Sequence, residues 1–158
     1  TDALSALLAE VGAADHLVQV GGDLRASGRD AAGVPWRAGI EAPTANHTGV
    51  AAVVSLRERA LSTSGDYRNF FSHEGRRYSH LIDPRTGWPA TGRLAAVSVV
   101  HQSCAKSSAW ATALFVLGAE EGFTLAQRLR LACVFFVRDP TGPGYTRRAT
   151  PEFESLPP

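Results

Sequence analysis

The sequence predicts an α+β fold in which a mixed or antiparallel sheet core is flanked by helices. Short segments that are apolar or alternate between apolar and polar residues recur along the chain, as is typical of strands. Apolar residues follow helical spacing in two regions, near the N-terminus and between residues 108 and 130. Strands and helices do not alternate strictly, as they would in a parallel βαβ fold.

The size and composition are those of a globular protein. The chain has 158 residues, of which 44% are hydrophobic and 20% are charged. We therefore expect residues 1–158 to form a single domain or part of one. The formal net charge of +1 gives no indication of nucleic-acid binding, and no run of about 18 apolar residues suggests a membrane span. The chain contains no Met, so we expect it to be a processed or partial chain.

In the first half of the chain, one helix is followed by strands. Apolar residues on one face predict a helix over residues 2–12, ended by Gly12. Apolar runs and alternation predict the strands, separated by polar segments. The predicted strands cover residues 16–20, 35–40, 50–56, 60–64 and 77–82. Residues 25–28 are expected to be a strand or a turn, and loops are expected at 43–49 and 65–75.

In the second half, a long helical region lies between apolar strands. Ser107 or Ser108 is the expected N-cap of a helix that Gly118 ends, and a second helix follows from about residue 120 to 130. The predicted strands cover residues 94–101, 131–138 and 145–147, and the tail is expected to be frayed. Cys133 lies in an apolar run and is expected to be a small core residue.

Residues 78–89 gather polar side chains in a segment that must turn. An imidazole, a carboxylate, a guanidinium and a hydroxyl lie within seven residues, at His80, Asp83, Arg85 and Thr86. Arginine offers a fork of donors to phosphate oxygens, and histidine can move a proton near neutral pH. The segment therefore either holds a phosphate or pyrophosphate, or is a proline-glycine turn with a solvated ion pair.

Two glycine- or serine-rich segments could also border a phosphate. Gly21 and Gly22 follow a predicted strand, and paired glycines allow either a close approach to a ligand or a tight turn. Residues 62–67 place hydroxyls at a strand end, which suits phosphate oxygens but is equally typical of a serine-rich surface turn. Neither a G-x-G-x-x-G motif nor a P-loop is present.

Ser108 and Thr112 are spaced to share one face of the predicted helix near its first turn, where free N–H groups favour anions. A carboxylate four residues before Thr112 would complete an oxygen site for a hard cation, but Ser108 is neutral. The alternative is an N-cap serine and a threonine bonded to the preceding turn. Among the histidines, His80 is the expected functional one, in preference to His16, His47, His73 and His101.

Taken together and in order, five segments resemble the ApbE family of FAD:protein FMN transferases. The segments are residues 20–28, 35–40, 62–67, 78–90 and 109–118. The resemblance runs from residue 1 to about residue 138, and it covers only the C-terminal half of a typical member. Thr1-Asp2 resembles the end of the family's K-G-Y-x-x-D segment. Much of the FAD-contacting surface is therefore expected either upstream of this chain or on a separate polypeptide.

The resemblance implies an enzyme that binds FAD and Mg²⁺, transfers FMN to a Thr or Ser hydroxyl of an acceptor protein, and releases AMP. It implies that His80 takes the proton of the acceptor hydroxyl. It also implies that Thr112 is a metal ligand, with Ser108 in the position of a second one. The residues implied to border the flavin phosphate or to order the neighbouring loop are Thr63, Ser64, Gly65, Asp83, Arg85 and Thr86.

One departure from the family pattern affects the expected activity. The family's A-D-A-x-x-T motif corresponds to residues 107–112, where Ser108 replaces the aspartate. Because a neutral hydroxyl is a poor substitute for a carboxylate as a Mg²⁺ ligand, we expect weakened metal binding. Two alternatives remain, a non-catalytic flavin-binding or partner subunit and an FAD pyrophosphatase. All three hypotheses require His80 and Thr112 to share one cleft, and none indicates a cellular location.

Overall fold

The computed structural model describes residues 1–44 and 49–158, which adopt an α+β fold as predicted. The helices are α1 (Asp2–Glu10), α2 (Cys104–Arg128) and α3 (Pro151–Glu154). The strands are β1 (His16–Val20), β2 (Asp23–Ser27), β3 (Trp36–Glu41), β4 (Val50–Leu56), β5 (Ala60–Gly65), β6 (Phe70–His73), β7 (Arg76–Ser79), β8 (Ile82–Asp83), β9 (Trp88–Pro89), β10 (Leu94–His101), β11 (Ala132–Arg138) and β12 (Tyr145–Ala149).

The main sheet has six strands in the order β1-β2-β5-β10-β11-β12, and neighbouring strands are antiparallel. The pairs β3–β4, β6–β7 and β8–β9 form separate two-stranded sheets. The edge strands of the main sheet are β1 and β12. The sheet is thus assembled around β5 and β10, whose sequences are the apolar and small-residue strands at 60–65 and 94–101.

Both faces of the main sheet are covered. Successive strand residues point to opposite faces, so Val134 and Phe136 of β11 pack towards the β3–β4 pair and α3. Cys133 and Phe135 pack towards α2 instead. The expectation that Cys133 is a core residue is confirmed, and its burial raises the pKa of the thiol to about 12.

The start of α2 differs from the prediction. The N-cap is Ser103, whose hydroxyl accepts a hydrogen bond from the Lys106 amide, and not Ser107 or Ser108. The free amides of Cys104 and Ala105 donate to the carboxylate of Asp2 at 2.9 and 3.0 Å. Because this acidic group from α1 binds the helix terminus, α2 begins five residues earlier than an N-cap at Ser108 would indicate.

The break at Gly118 is confirmed. Gly118 has φ 84° and ψ −175°, which interrupts the helical conformation within α2. The second segment then packs closely on the first, since a Cβ atom at Gly122 would lie 2.6 Å from the carbonyl oxygen of Leu114. A glycine is therefore needed at the contact as well as at the bend.

Other differences concern short elements. Part of the predicted loop at 65–75 is β6, and the strand predicted over 77–82 ends at Ser79. The tail is not frayed, because Phe153 is buried and anchors α3. The predicted loop at 43–49 includes residues 45–48, among them His47, which lie outside the described residues. Within the described ranges, no helix is both long and apolar enough to cross a membrane.

We predict that Asp2→Ala lowers the free energy of unfolding by about 1–2 kcal/mol at pH 7, the usual cost of losing a helix cap. Partial burial raises the pKa of Asp2, but hydrogen bonds from Ala105, Cys104 and Ser103 outweigh it, so the pKa lies below 3.8. Because the pKa is lower in the folded than in the unfolded state, ionised Asp2 stabilises the protein fully above the unfolded-state pKa. This contribution is lost as the pH falls through the folded-state pKa.

Denaturant unfolding of both proteins at several pH values tests this prediction. The two stabilities should converge in strongly acidic solution, where the Asp2 carboxylate is protonated. Ser108→Ala, which removes the hydroxyl first considered as the cap, is the matched control and should change stability by much less. A difference between wild type and Asp2→Ala that does not depend on pH would contradict the capping role.

Candidate functional site

A cavity of about 520 Å³ lies at the end of β5, between the β1–β2 turn and the chain segment that follows β5. The residues of the predicted site that line it are Thr63, Ser64, Gly65, His80 and Thr112. The imidazole-bearing segment and α2 therefore meet at one cleft, as the sequence hypothesis required. The turn glycines Gly21 and Gly22 also line the cavity, with φ values of 62° and 96° that suit a tight two-residue hairpin.

Hydroxyl contacts hold α2 against β5 beside the cavity. The Ser64 Oγ and Thr112 Oγ1 atoms are 3.1 Å apart, and the buried hydroxyls of Ser62 and Ser107 are 2.7 Å apart. Ser62 and Ser64 alternate along the strand and so point to the same side. The serine-rich segment is thus a strand that packs on a helix, and its interpretation as a surface turn is wrong.

The end of β5 presents bare backbone to the cavity. A Cβ atom at Gly65 would lie 2.7 Å from the carbonyl oxygen of Ala95 and 2.9 Å from the ring of Tyr67. No side chain fits at that position without movement of the neighbouring strand. The exposed Thr63 lies next to it, and its hydroxyl is 2.7 Å from that of Ser98 on β10. Hydroxyl groups, and a glycine that lets a ligand approach the backbone closely, are features expected of a site that binds phosphate oxygens.

His80 is exposed and has an oriented ring. Its Nδ1 atom lies 2.9 Å from the carbonyl oxygen of Asn69. A carbonyl can only accept, so Nδ1 carries the hydrogen, and Nε2 of the neutral ring is left as an acceptor. Asn69 and His80 flank the β6–β7 hairpin, which places this contact at the hairpin base. The ring is therefore arranged to take a proton at Nε2.

The other polar residues of the 78–89 segment do not line this cavity. Arg85 folds back on Asp83, with 2.9 Å between Nη2 and Oδ2, and also lies 3.4 Å from Glu121. Hydrogen bonds from Arg85 lower the pKa of Asp83. Thr86 accepts from the Trp88 amide in the same turn. In this structure Asp83, Arg85 and Thr86 order the turn, and the ion pair is solvated as in the simpler interpretation of the segment.

Sequence reasoning missed a charged group in the cavity. Glu41, at the end of β3, accepts hydrogen bonds from Arg68 Nε at 3.0 Å and from the Tyr67 hydroxyl at 3.3 Å. Burial and the Glu41 charge raise the pKa of Tyr67. The available sequence signal was the position of Glu41, an acidic residue directly after the alternating strand predicted over 35–40. The guanidinium that lines the cavity is consequently paired with a carboxylate.

Ser108 and Thr112 offer only neutral hydroxyls from the same side of α2. They lie one turn apart on α2, but Ser108 lines a different cavity, which it shares with Asp23 and Asp2. In the part of the chain that the structure describes, no cluster of three or more His, Cys, Asp or Glu side chains could hold a metal ion. The hydroxyls beside Thr112 are neutral, so they do not form the charged oxygen site that Mg²⁺ prefers.

Comparison with known proteins gives consistent matches. The model of the ApbE family matches residues 1–135. The FAD:protein FMN transferase of Vibrio cholerae O395 is 36% identical over 153 residues, which are 97% of this chain and 45% of the relative. The solved flavin transferase ApbE from Vibrio cholerae has a TM-score of 0.85 at 34% identity, covering 98% of this chain and 48% of that one.

The apo form of the Pseudomonas stutzeri flavinyl transferase ApbE has a TM-score of 0.84 at 42% identity, covering 98% of this chain and 47% of that structure. This chain thus spans about half the length of the relatives it matches. The family match over most of the chain and the agreement of sequence and fold show that the chain belongs to the ApbE family.

Proposed function

We propose that this chain forms part of a site that transfers FMN from FAD to a Thr or Ser hydroxyl of an acceptor protein. The observation that carries the proposal is that His80 and Thr112 line one cavity with the end of β5. Relatives named FAD:protein FMN transferase support the reaction class. FAD and the acceptor protein are the partners that this function requires.

In the proposed reaction, the acceptor oxygen attacks the phosphorus of the FMN half of FAD. A new P–O bond forms, the pyrophosphate bond breaks, and AMP leaves with the bridging oxygen. Nε2 of His80 takes the proton of the acceptor hydroxyl. The hydroxyls of Thr63, Ser64 and Thr112 orient phosphate oxygens, and Gly65 lets the diphosphate approach the backbone. Asp83, Arg85 and Thr86 support the loop next to His80.

We propose that residues outside these 158 supply the rest of the flavin site, on the same polypeptide or on a partner chain. An apolar surface on α1 and the edge strand β1 supports this assignment. Its exposed side chains are Leu4, Leu7, Val11, Leu17 and Val20. Exposed apolar side chains next to an open strand edge are typical of an interface that another segment covers.

A second candidate is a non-catalytic flavin-binding subunit. It is favoured because Thr112 and Ser108 both carry neutral hydroxyls, and Ser108 lines another cavity. One assay separates the candidates when the chain, with the polypeptide that completes its site, is given FAD, Mg²⁺ and an acceptor protein. Covalent flavin on the acceptor supports transfer, free FMN with AMP indicates pyrophosphatase activity, and bound but intact FAD indicates a binding subunit.

We predict that His80→Ala reduces the rate of FMN transfer at least about 100-fold, the usual lower range for loss of a proton-transfer group. Covalent flavin fluorescence on the acceptor is the measurement. His73→Ala is the matched control, because His73 is also exposed but lies on the hairpin away from its base. Equal rates for wild type and His80→Ala, or an equal loss in both variants, would show that His80 does not transfer the proton.

We predict that Ser108→Asp strengthens Mg²⁺ binding about tenfold or more. The reason is that a charged ligand is added, and loss of even an outer-shell group costs about 10- to 100-fold in metal affinity. Calorimetric titration of the completed protein measures the change. Ser108→Asn introduces a neutral side chain of the same size as aspartate, and it should leave the affinity for Mg²⁺ near that of wild type. If wild type already binds Mg²⁺ as tightly as Ser108→Asp, the metal site does not depend on this position.

A further inference from the structure

A second cavity, of about 660 Å³, lies at the opposite end of the main sheet. The strand register places His101 opposite Ala60 at this end. Ala96 is opposite Gly65 at the cavity lined by His80 and Thr112, which is the flavin cavity of the proposed function. The second cavity is bounded by the β4–β5 turn, the ends of β10 and α2, and the segment that follows α3. It shares no lining residue with the cavity that contains His80.

The lining of this second cavity is positively charged. It includes Arg57, Arg59 and Arg130 against one carboxylate, Glu152, which lies 3.3 Å from Arg130. Across the described ranges, Arg57 and Arg59 form no ion pair, although Arg59 is half-buried. A partly desolvated guanidinium without a counter-charge is unfavourable. An anionic ligand would remove that cost.

The acidic residue between the two arginines does not neutralise them. The carboxylate of Glu58 accepts a hydrogen bond from the Gly28 amide at 2.6 Å and one from the Ser27 hydroxyl, which lies 3.0 and 3.1 Å from its two oxygens. These contacts, with that from Gly28 the strongest, lower the pKa of Glu58 and hold it on the β2 side of the turn. In the β4–β5 turn, Arg57 and Arg59 therefore line the second cavity, whereas Glu58 binds the end of β2.

His101 adds a neutral donor to the same cavity. Its Nδ1 atom accepts a hydrogen bond from the Ser103 amide at 3.0 Å, so the hydrogen of the neutral ring lies on Nε2. Burial and the nearby Lys106 charge lower the pKa of His101, which keeps the ring neutral at pH 7. The remaining wall is partly apolar and includes Val100, Leu131 and Leu156.

We propose that this cavity binds a phosphate-bearing small molecule with an apolar or aromatic body, about the size of a mononucleotide. The guanidinium groups of Arg57 and Arg59 present donor forks to the phosphate, and His101 Nε2 donates beside them. The apolar wall receives the body of the ligand. The volume lies within the range of small-molecule sites, about 300–1,000 Å³.

The position of binding can be tested by titrating the ¹⁵N-labelled chain with AMP. Because AMP is also a part of FAD, it could enter the flavin cavity, and the readout must distinguish the two places. The proposal predicts shifts of the amide signals of Gln102, Leu131 and Ala132. Shifts confined to Thr63 and Gly65, or no shifts at all, would overturn it. Adenosine, which lacks the phosphate, should not shift the first set.

Charge-removing variants test which groups bind the phosphate. Arg59→Gln and Arg57→Gln should each weaken AMP binding about tenfold, the effect of losing one charge-assisted hydrogen bond. Arg93→Gln is the matched control, because Arg93 is exposed at the other end of β10. Equal affinity in wild type and the Arg57 and Arg59 variants, or an equal loss in Arg93→Gln, would overturn the proposal. Arg57 is exposed, so its variant keeps the test available if Arg59→Gln does not fold.

Discussion

The close packing of α2 on β5 is the contact on which the candidate site depends. Ser107 and Ala111 lie on one buried face of α2, and their small side chains let the helix approach the strand. The hydroxyl pairs Ser62–Ser107 and Ser64–Thr112 then satisfy the polar groups that this approach buries. The same geometry that closes this face of the sheet therefore places Thr112 at the end of β5, where the cavity opens.

A second anchor positions the hairpin that carries His80 at its base. Asp66, directly after β5, is buried and pairs with Arg138 of β11, while Arg77 of β7 donates to the Asp66 carbonyl. Arg77 also lies 3.5 Å above the ring of Phe70. Burial lowers the pKa of Arg77, opposed by the charge of Asp66. Asp66 thus connects the main sheet to the β6–β7 hairpin. The His80 ring, which receives the proton in the proposed reaction, lies at the base of that hairpin.

The class of fold and most strands could be predicted, because apolar periodicity and Gly118 are local signals. The start of α2 could not, since three serines compete and the choice is made by Asp2, which is distant in sequence. Strand β6 was also missed, because it is exposed and is held to β7 by contacts such as the stacked rings of Phe71 and Tyr78. His80 and Thr112 were paired through the family resemblance, whereas Glu41 and Arg68 meet only through long-range folding.

The distribution of charge limits what this chain contributes to the proposed transfer. A diphosphate is strongly negative, yet Arg68, which lines the cavity with His80, is paired with Glu41. The described groups at the end of β5 are hydroxyls and backbone. Hydroxyls orient phosphate oxygens but neutralise none of their charge. The guanidinium groups of Arg57 and Arg59, which form no ion pair with the described residues, lie at the far end of the sheet. In the proposed reaction this chain therefore supplies orientation and a proton acceptor, and the balancing positive charge must come from groups outside the described residues.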